Sequence, residues 1–187
     1  MLFNNLKLES CGRNVYFPRE DSFIMAEAVE KLAFKKTLDM GTGTGILGLT
    51  ACANGCEVTF ADIDKNALDC AKRNSALNSF TGEFIETDLF SNIFQKFNTI
   101  IFNPPYLPSE PLGSLNQREY ALDGGKQGRE LIDAFLSQYK NYVEKEHVVI
   151  MLESSFNNYE EDVKNLNADI FKANHYFFED LAVLVFQ

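Results

Sequence analysis

Lys36-Thr37-Leu38-Asp39-Met40-Gly41-Thr42-Gly43-Thr44-Gly45 is a short strand-like run closed by an acid that passes into alternating glycines, after which residues 46–54 continue as an apolar helix. In strand, turn, helix order, the glycines let the backbone pass close beneath a ligand without interference from Cβ. The unit then repeats. Residues 57–63 are β-branched and aromatic enough for a second strand, and residues 66–78 place Ala67, Cys70, Ala71 and Asn74 at helical spacing. Residues 83–87 and 98–103 supply two more strands. Residues 129–143 read as an amphipathic helix through Leu131, Ile132, Phe135, Leu136, Tyr139 and Val143. Residues 147–153 form a fifth strand, followed by a helix near 157–166 and strands at 169–172 and 181–186. This alternation predicts an α/β, Rossmann-like fold: a seven-stranded, mainly parallel sheet with helices on both faces, binding its ligand at the carboxyl ends of the strands.

With 187 residues, 45% hydrophobic and 24% charged, the chain suits a single domain spanning 1–187, with residues 1–35 as a flank that completes the ligand cleft. The longest apolar stretches, such as 148–152, are too short to cross a bilayer, and the N-terminus lacks the features of a secretory signal. A cytoplasmic protein without a membrane partner is expected. Cys11, Cys52, Cys56 and Cys70 have no CxxC spacing and stand far from His147 and His175. They are expected to be four reduced thiols, with no metal site. The net charge of −10 argues against a nucleic-acid partner, which normally requires a face of Lys and Arg. Residues 107–127 form a long connection with two Pro and no hydrophobic period. They are read as a substrate-facing flap whose only cations are Arg118 and Lys126.

The glycine turn alone fits two cofactors. Gly43-Thr44-Gly45-Ile46-Leu47-Gly48 spells GxGxxG, and Asp62 follows about 20 residues later, where a carboxylate could hold the ribose of NAD or of S-adenosyl-L-methionine. Asp39 favours S-adenosyl-L-methionine, because a carboxylate there attracts an ammonium or sulfonium and repels a pyrophosphate. Thr87 and Asp88 offer a polar clamp for an adenine amine, with Leu89 and Phe90 as apolar walls.

Asn103-Pro104-Pro105-Tyr106 ends the fourth strand. Each proline restricts the residue before it, so the Asn103 side-chain oxygen and the Pro104 carbonyl are pre-aimed as acceptors for the two hydrogens of a planar NH₂ group. Such a nitrogen is a poor nucleophile, and acceptors that hold it as it gains positive charge favour the transition state. The Tyr106 ring is expected to cover a flat substrate group. Asn103, Pro104 and Tyr106 are therefore the expected catalytic residues of a methyl transfer to nitrogen. An N6-adenine methyltransferase acting on DNA or RNA is the alternative, since an adenine amine is planar too.

Taken together, residues 15–22 (VYFPREDS), 39–45, 61–64, 87–89, 103–106 and 124–133 (GGKQGRELID) resemble the HemK-like protein-glutamine methyltransferases, in the short archaeal and eukaryotic form that acts on class 1 peptide-chain release factors. The resemblance implies a class I methyltransferase fold and methylation of the glutamine nitrogen of a GGQ motif. It implies substrate binding by Asn103 and cofactor binding by Asp39, Gly41, Asp62, Asp88 and Leu89. Thr42, Gly43 and Gly45 in the turn, Ile63 beside Asp62, and Asn103 itself complete the expected cofactor set. Ser22 stands where many relatives carry Thr and is expected at the cofactor too. Eukaryotic members depend on a small zinc-binding activator subunit, which makes such a subunit a candidate partner beside the release factor.

Overall fold

The apolar runs become strands buried on both faces, as parallel strands covered by helices must be. The computed structural model describes residues 2–12, 15–109, 124–125, 127–176 and 179–187. In chain order the elements are β1 (Leu2–Phe3), β2 (Leu6–Lys7), α1 (Glu20–Leu32), β3 (Lys36–Met40), α2 (Ile46–Ala53), β4 (Glu57–Asp62) and α3 (Lys65–Leu77). Then come β5 (Glu83–Glu86), β6 (Phe97–Phe102), α4 (Glu130–Gln138), β7 (Val143–Ser154), α5 (Tyr159–Leu166), β8 (Asp169–Tyr176) and β9 (Glu179–Phe186). β1 and β2 form a separate small hairpin. The seven-stranded sheet runs β5-β4-β3-β6-β7-β9-β8. β9 pairs antiparallel with both β7 and β8, and the other pairings are parallel. The expected α/β architecture is therefore present.

Successive residues of a strand enter opposite cores. Ile101, Val148, Ile150 and Phe60 pack with α1 and α2 on one side, whereas Ile100, Val149, Met151 and Ala61 pack with α4 on the other. The strand order reverses between β3 and β6, where a crevice opens beyond their carboxyl ends. No helix among the described residues is long and apolar enough to cross a membrane.

Several boundaries depart from the sequence reading. The helix expected over 129–143 ends at Gln138 and tightens into a 3-10 turn at Tyr139–Asn141. This keeps Tyr139 in the core and lets Val143 pair with Phe97. The flank 1–35 holds α1, a 13-residue helix that the reading did not resolve. Residues 110–123 and 126, most of the expected flap together with Arg118 and Lys126, lie outside the described residues.

The cysteines require a correction. Cys11 and Cys70 form a disulfide, with Cα atoms 5.6 Å apart, while Cys52 and Cys56 are thiols. The juxtaposition arises because Asn74 of α3 and Asn78, its C-cap, pair with the backbone of the N-terminal segment like a strand. Asn78 receives Lys7 N at 2.8 Å and donates to Lys7 O at 2.8 Å. Asn74 receives Glu9 N at 2.9 Å and donates from the same amide to Thr44 O at 2.9 Å. One buried side chain thus joins the N-terminal arm, α3 and the glycine turn.

The cross-link spans 59 residues, a loop long enough for a sizeable entropic effect on the unfolded chain. Cys11→Ser is expected to lower stability by about 2–4 kcal/mol in oxidising buffer. The difference from the parent should nearly vanish under reduction, as read by denaturant melts run in parallel with non-reducing peptide mapping.

Candidate active site

The glycine turn is held from below by Asp39. Its Oδ2 accepts the Thr42 hydroxyl at 2.6 Å and Gly48 N at 2.9 Å, so strand end, turn and helix α2 share one buried acceptor. Burial pushes the Asp39 carboxyl up to about 7, against these two hydrogen bonds, which favour its charge. A Cβ on Gly48 would overlap both the Phe60 ring and Asp39 Oδ2. The last glycine of the GxGxxG string therefore serves close packing of helix on strand. Gly45, in left-handed geometry with φ 86°, is the N-cap of α2 and lies against Ala71.

Above the turn lies a cleft of about 470 Å³ at the reversal point of the sheet. Gly41, Thr42 and Gly43 form its floor, with Asp62 and Ile63 on one side and Asp88 and Leu89 beyond them. Ser22, Asn103 and Pro104 complete it from the other flank. Asp62 Oδ2 accepts Gly43 N at 3.0 Å and Oδ1 accepts Asp64 N at 2.9 Å. Each oxygen keeps a second lone pair for a ligand hydroxyl. Burial raises the Asp62 pKa, which backbone hydrogen bonds from Gly43, Asp64 and Ile63 partly oppose. Ile63 is 67% exposed, an apolar surface that a planar ring would cover. Asp21, Asp62, Asp64 and Asp88 line the cleft, and no Lys or Arg does so among the described residues. That lining suits a cationic sulfonium and ribose hydroxyls, and it would repel a dinucleotide's diphosphate.

Four expected site residues lie outside the cleft lining. Asp39 is only 1% exposed, and its Oδ2 supports the turn. Gly45 caps the helix. Tyr106 is 4% exposed and packed into the α1-side core. Burial, followed by the nearby Asp21 charge, raises its phenol pKa, and the ring backs the cleft wall instead of lining it. Phe90, expected as an adenine wall, is likewise core, stacked on Tyr142.

Asn103 is the centre of the opposite flank. Its Nδ2 donates to Asp21 Oδ2 at 3.0 Å, while its Oδ1 is shielded from solvent and has no hydrogen-bond partner among the described residues. A buried acceptor left open costs roughly 1–3 kcal/mol, so its presence asks for a ligand. Asp21 also accepts the Tyr16 hydroxyl at 3.0 Å and the Ser22 hydroxyl at 3.3 Å. It is the functional residue that the sequence reading passed over. The signal was its place beside Ser22 within the VYFPREDS segment, but its partner stands 82 positions away.

Behind Tyr106, a polar cluster fixes the neck of the loop. Asn157 Nδ2 donates to Tyr106 O at 2.8 Å and Gly128 O at 2.9 Å. Gly124 N donates to Leu107 O, and Ser109 N to Gly125 O, both at 2.8 Å. A Cβ at Gly128 would overlap Tyr106 O, and one at Gly124 would crowd Pro105 O, which explains the glycines of the 124–133 segment. Arg129 donates to Asn157 O and pairs with Asp162 at 2.8 Å and Asp133 at 2.7 Å.

The Methyltransferase small domain family matches residues 20–112. A Methanocaldococcus jannaschii protein, provisionally named a protein N5-glutamine methyltransferase, is 37% identical over 160 residues, 84% of this chain and 81% of that one. The release factor glutamine methyltransferase of Deinococcus radiodurans is 36% identical over 112 residues, 57% of this chain but 40% of that protein. The T. thermophilus 16S rRNA N2 G1207 methyltransferase, solved with AdoMet and guanosine, shares the fold. Its TM-score is 0.65 at 17% identity, over 91% of this chain and 44% of its own. Sheet order, glycine turn and acidic cleft thus define a class I S-adenosylmethionine-dependent methyltransferase. Within that class, the chain belongs to the HemK-like protein-glutamine methyltransferase family.

Two outcomes follow from this geometry. Asp62→Ala removes acceptors for a ligand hydroxyl and should weaken S-adenosylmethionine binding by roughly 10–100-fold in calorimetry. Glu153, 0% exposed, is pushed up to about 9 by burial and then by Asp162, and Arg129 opposes this only in part. Its folded pKa lies above the ordinary 4.5. Its stabilising contribution is therefore full below about 4.5 and is lost as pH rises through about 9. Glu153→Gln, which cannot ionise, should gain in melting temperature over the parent by a margin that widens by several degrees across that window.

Proposed function

We propose that this enzyme methylates the side-chain amide nitrogen of a glutamine, that of the GGQ motif in a peptide-chain release factor. The observation that carries the proposal is the open acceptor of Asn103, a dry Oδ1 at the inner end of the cofactor cleft. The names borne by the two relatives above support glutamine and release factor as substrate. So does the acidic lining, which offers no cationic groove for a nucleic-acid backbone.

In this reading Ser22, Gly41, Thr42, Gly43, Asp62, Ile63, Asp88 and Leu89 hold the cofactor. S-adenosylmethionine, when bound there, supplies an electrophilic methyl group on a sulfonium. Asn103 Oδ1 accepts one amide hydrogen of the glutamine and fixes the nitrogen's direction of approach. As the nitrogen gains positive charge, the N–H polarises and its hydrogen bond to Oδ1 strengthens, which is the differential binding that lowers the barrier. Pro104 keeps Asn103 in extended geometry, and Pro105 restrains Pro104 in turn. The surplus proton leaves after methyl transfer, so no strong base is required.

The test offers labelled S-adenosylmethionine to a release factor, to its GGQ→GGR variant and to DNA. Label on the GGQ protein alone is expected, and label on DNA alone or equally on both release factors would overturn the substrate. Asn103→Ala should keep cofactor affinity within a few fold while methyl transfer falls at least about 100-fold. Full activity of this variant would remove the mechanism.

A further inference from the structure

The Asn103 amide has two ends, one a donor and one an acceptor, and which end meets the substrate decides what the site can recognise. An amide pivots between the two orientations at little cost unless a neighbour distinguishes them. Here the neighbour is the Asp21 carboxylate, which can only accept. Asp21 stands in the first turn of α1, 2% exposed. It receives Tyr16 Oη and Ser22 Oγ on Oδ1, and Asn103 Nδ2 on Oδ2. No ion pair with Asp21 occurs among the described residues. Burying an anion against neutral donors alone is costly, and a purely structural position could be filled more cheaply by a neutral residue.

We propose that Asp21 is the specificity-determining positioning residue of the site: it locks Asn103 with its oxygen toward the substrate, and so makes the enzyme select an N–H-bearing amide over a carboxylate. The inference rests on the reading of Asn103 as the substrate acceptor. With Nδ2 held at Asp21, Oδ1 meets a glutamine NH₂ as a hydrogen bond but a glutamate oxygen as acceptor against acceptor. Reversing the amide would place Oδ1 against the Asp21 anion, which disfavours the orientation that could accommodate glutamate. The negative charge behind Nδ2 also polarises the amide, making Oδ1 a better acceptor as charge builds on the substrate nitrogen. Tyr16 and Ser22 hold the carboxylate without setting the orientation of Asn103.

The decisive variant is Asp21→Asn, nearly isosteric but able to donate or accept. Asp21→Ala serves as a second variant and Tyr16→Phe as a control that leaves the carboxylate in place. Binding of release factors carrying GGQ or GGE is measured in the presence of cofactor, alongside kcat for the GGQ protein. Exchange of the Asn103 side-chain NH₂ is followed by ¹⁵N NMR. The parent and Tyr16→Phe should prefer GGQ by at least about tenfold, since a site built around one hydrogen bond rejects the analogue lacking its donor. In Asp21→Asn that preference should fall toward one and kcat drop about tenfold or more, with cofactor affinity within about twofold. Exchange of the Asn103 amide should quicken in both Asp21 variants. A fall in kcat with the GGQ preference intact would assign Asp21 a merely structural role and overturn the proposal, as would unchanged amide exchange. If the parent methylates no GGQ protein, the substrate reading has failed instead, and the exchange measurement still decides whether Asp21 orients Asn103.

Discussion

A carboxylate placed at the end of a central strand, out of reach of water, must be given hydrogen bonds locally or it will unseat the strand. Asp39 is in that position, and the parts around it are the ones that satisfy it. The Thr42 hydroxyl and the Gly48 amide both converge on Oδ2, which forces the chain to turn back over the strand tip and launches α2 at a fixed angle. Gly48 must lack a side chain because Phe60 of β4 occupies that space. The same turn presents Gly43 N outward to Asp62. A buried acid thus shapes the loop from within, and a second acid receives the loop's outer face beside the cleft. The two carboxylates sit at the ends of adjacent strands and do different work because one is sealed and the other lines the cleft.

Three asparagines carry out a comparable division. Asn74 and Asn157 are buried and hydrogen-bonded at both ends of their amides, the first between the N-terminal arm and Thr44, the second between Ser154 N and the carbonyls of Tyr106 and Gly128. An amide satisfied at both ends behaves as a rigid polar spacer between chain segments. Asn103 has the same chemistry with one end left open. The difference between scaffold and site in this protein is therefore one of completed against uncompleted hydrogen bonding.

The central strands were legible because burial on both faces leaves continuous apolar runs such as 100–102 and 148–152, and the glycine turn because its positive backbone angles favour glycine. Asn103 was legible because two prolines follow it. What escaped the sequence depends on separation. Asp21 becomes a site residue only when α1 swings it against β6, and Cys11 meets Cys70 only because Asn74 and Asn78 stitch the arm onto α3. Tyr106 and Asp39 are more buried than their roles at the cleft suggested, for a related reason. Residue type shows what a side chain can do, but its direction is set by neighbours that local spacing does not reveal: α1-side packing for Tyr106 and the Gly48 amide for Asp39. α4 was overextended because Val143 fits a helical stripe and a strand equally well, and its pairing with Phe97 decided the matter.

The neck that joins Leu107 and Ser109 to Gly124 and Gly125 has an evolutionary consequence. Since both ends of the intervening stretch are clamped to each other and, through Asn157, to the body of the protein, changes of length or composition between them need not propagate to Asn103. The reacting geometry can then be inherited intact through insertion, deletion or recombination within that bracket.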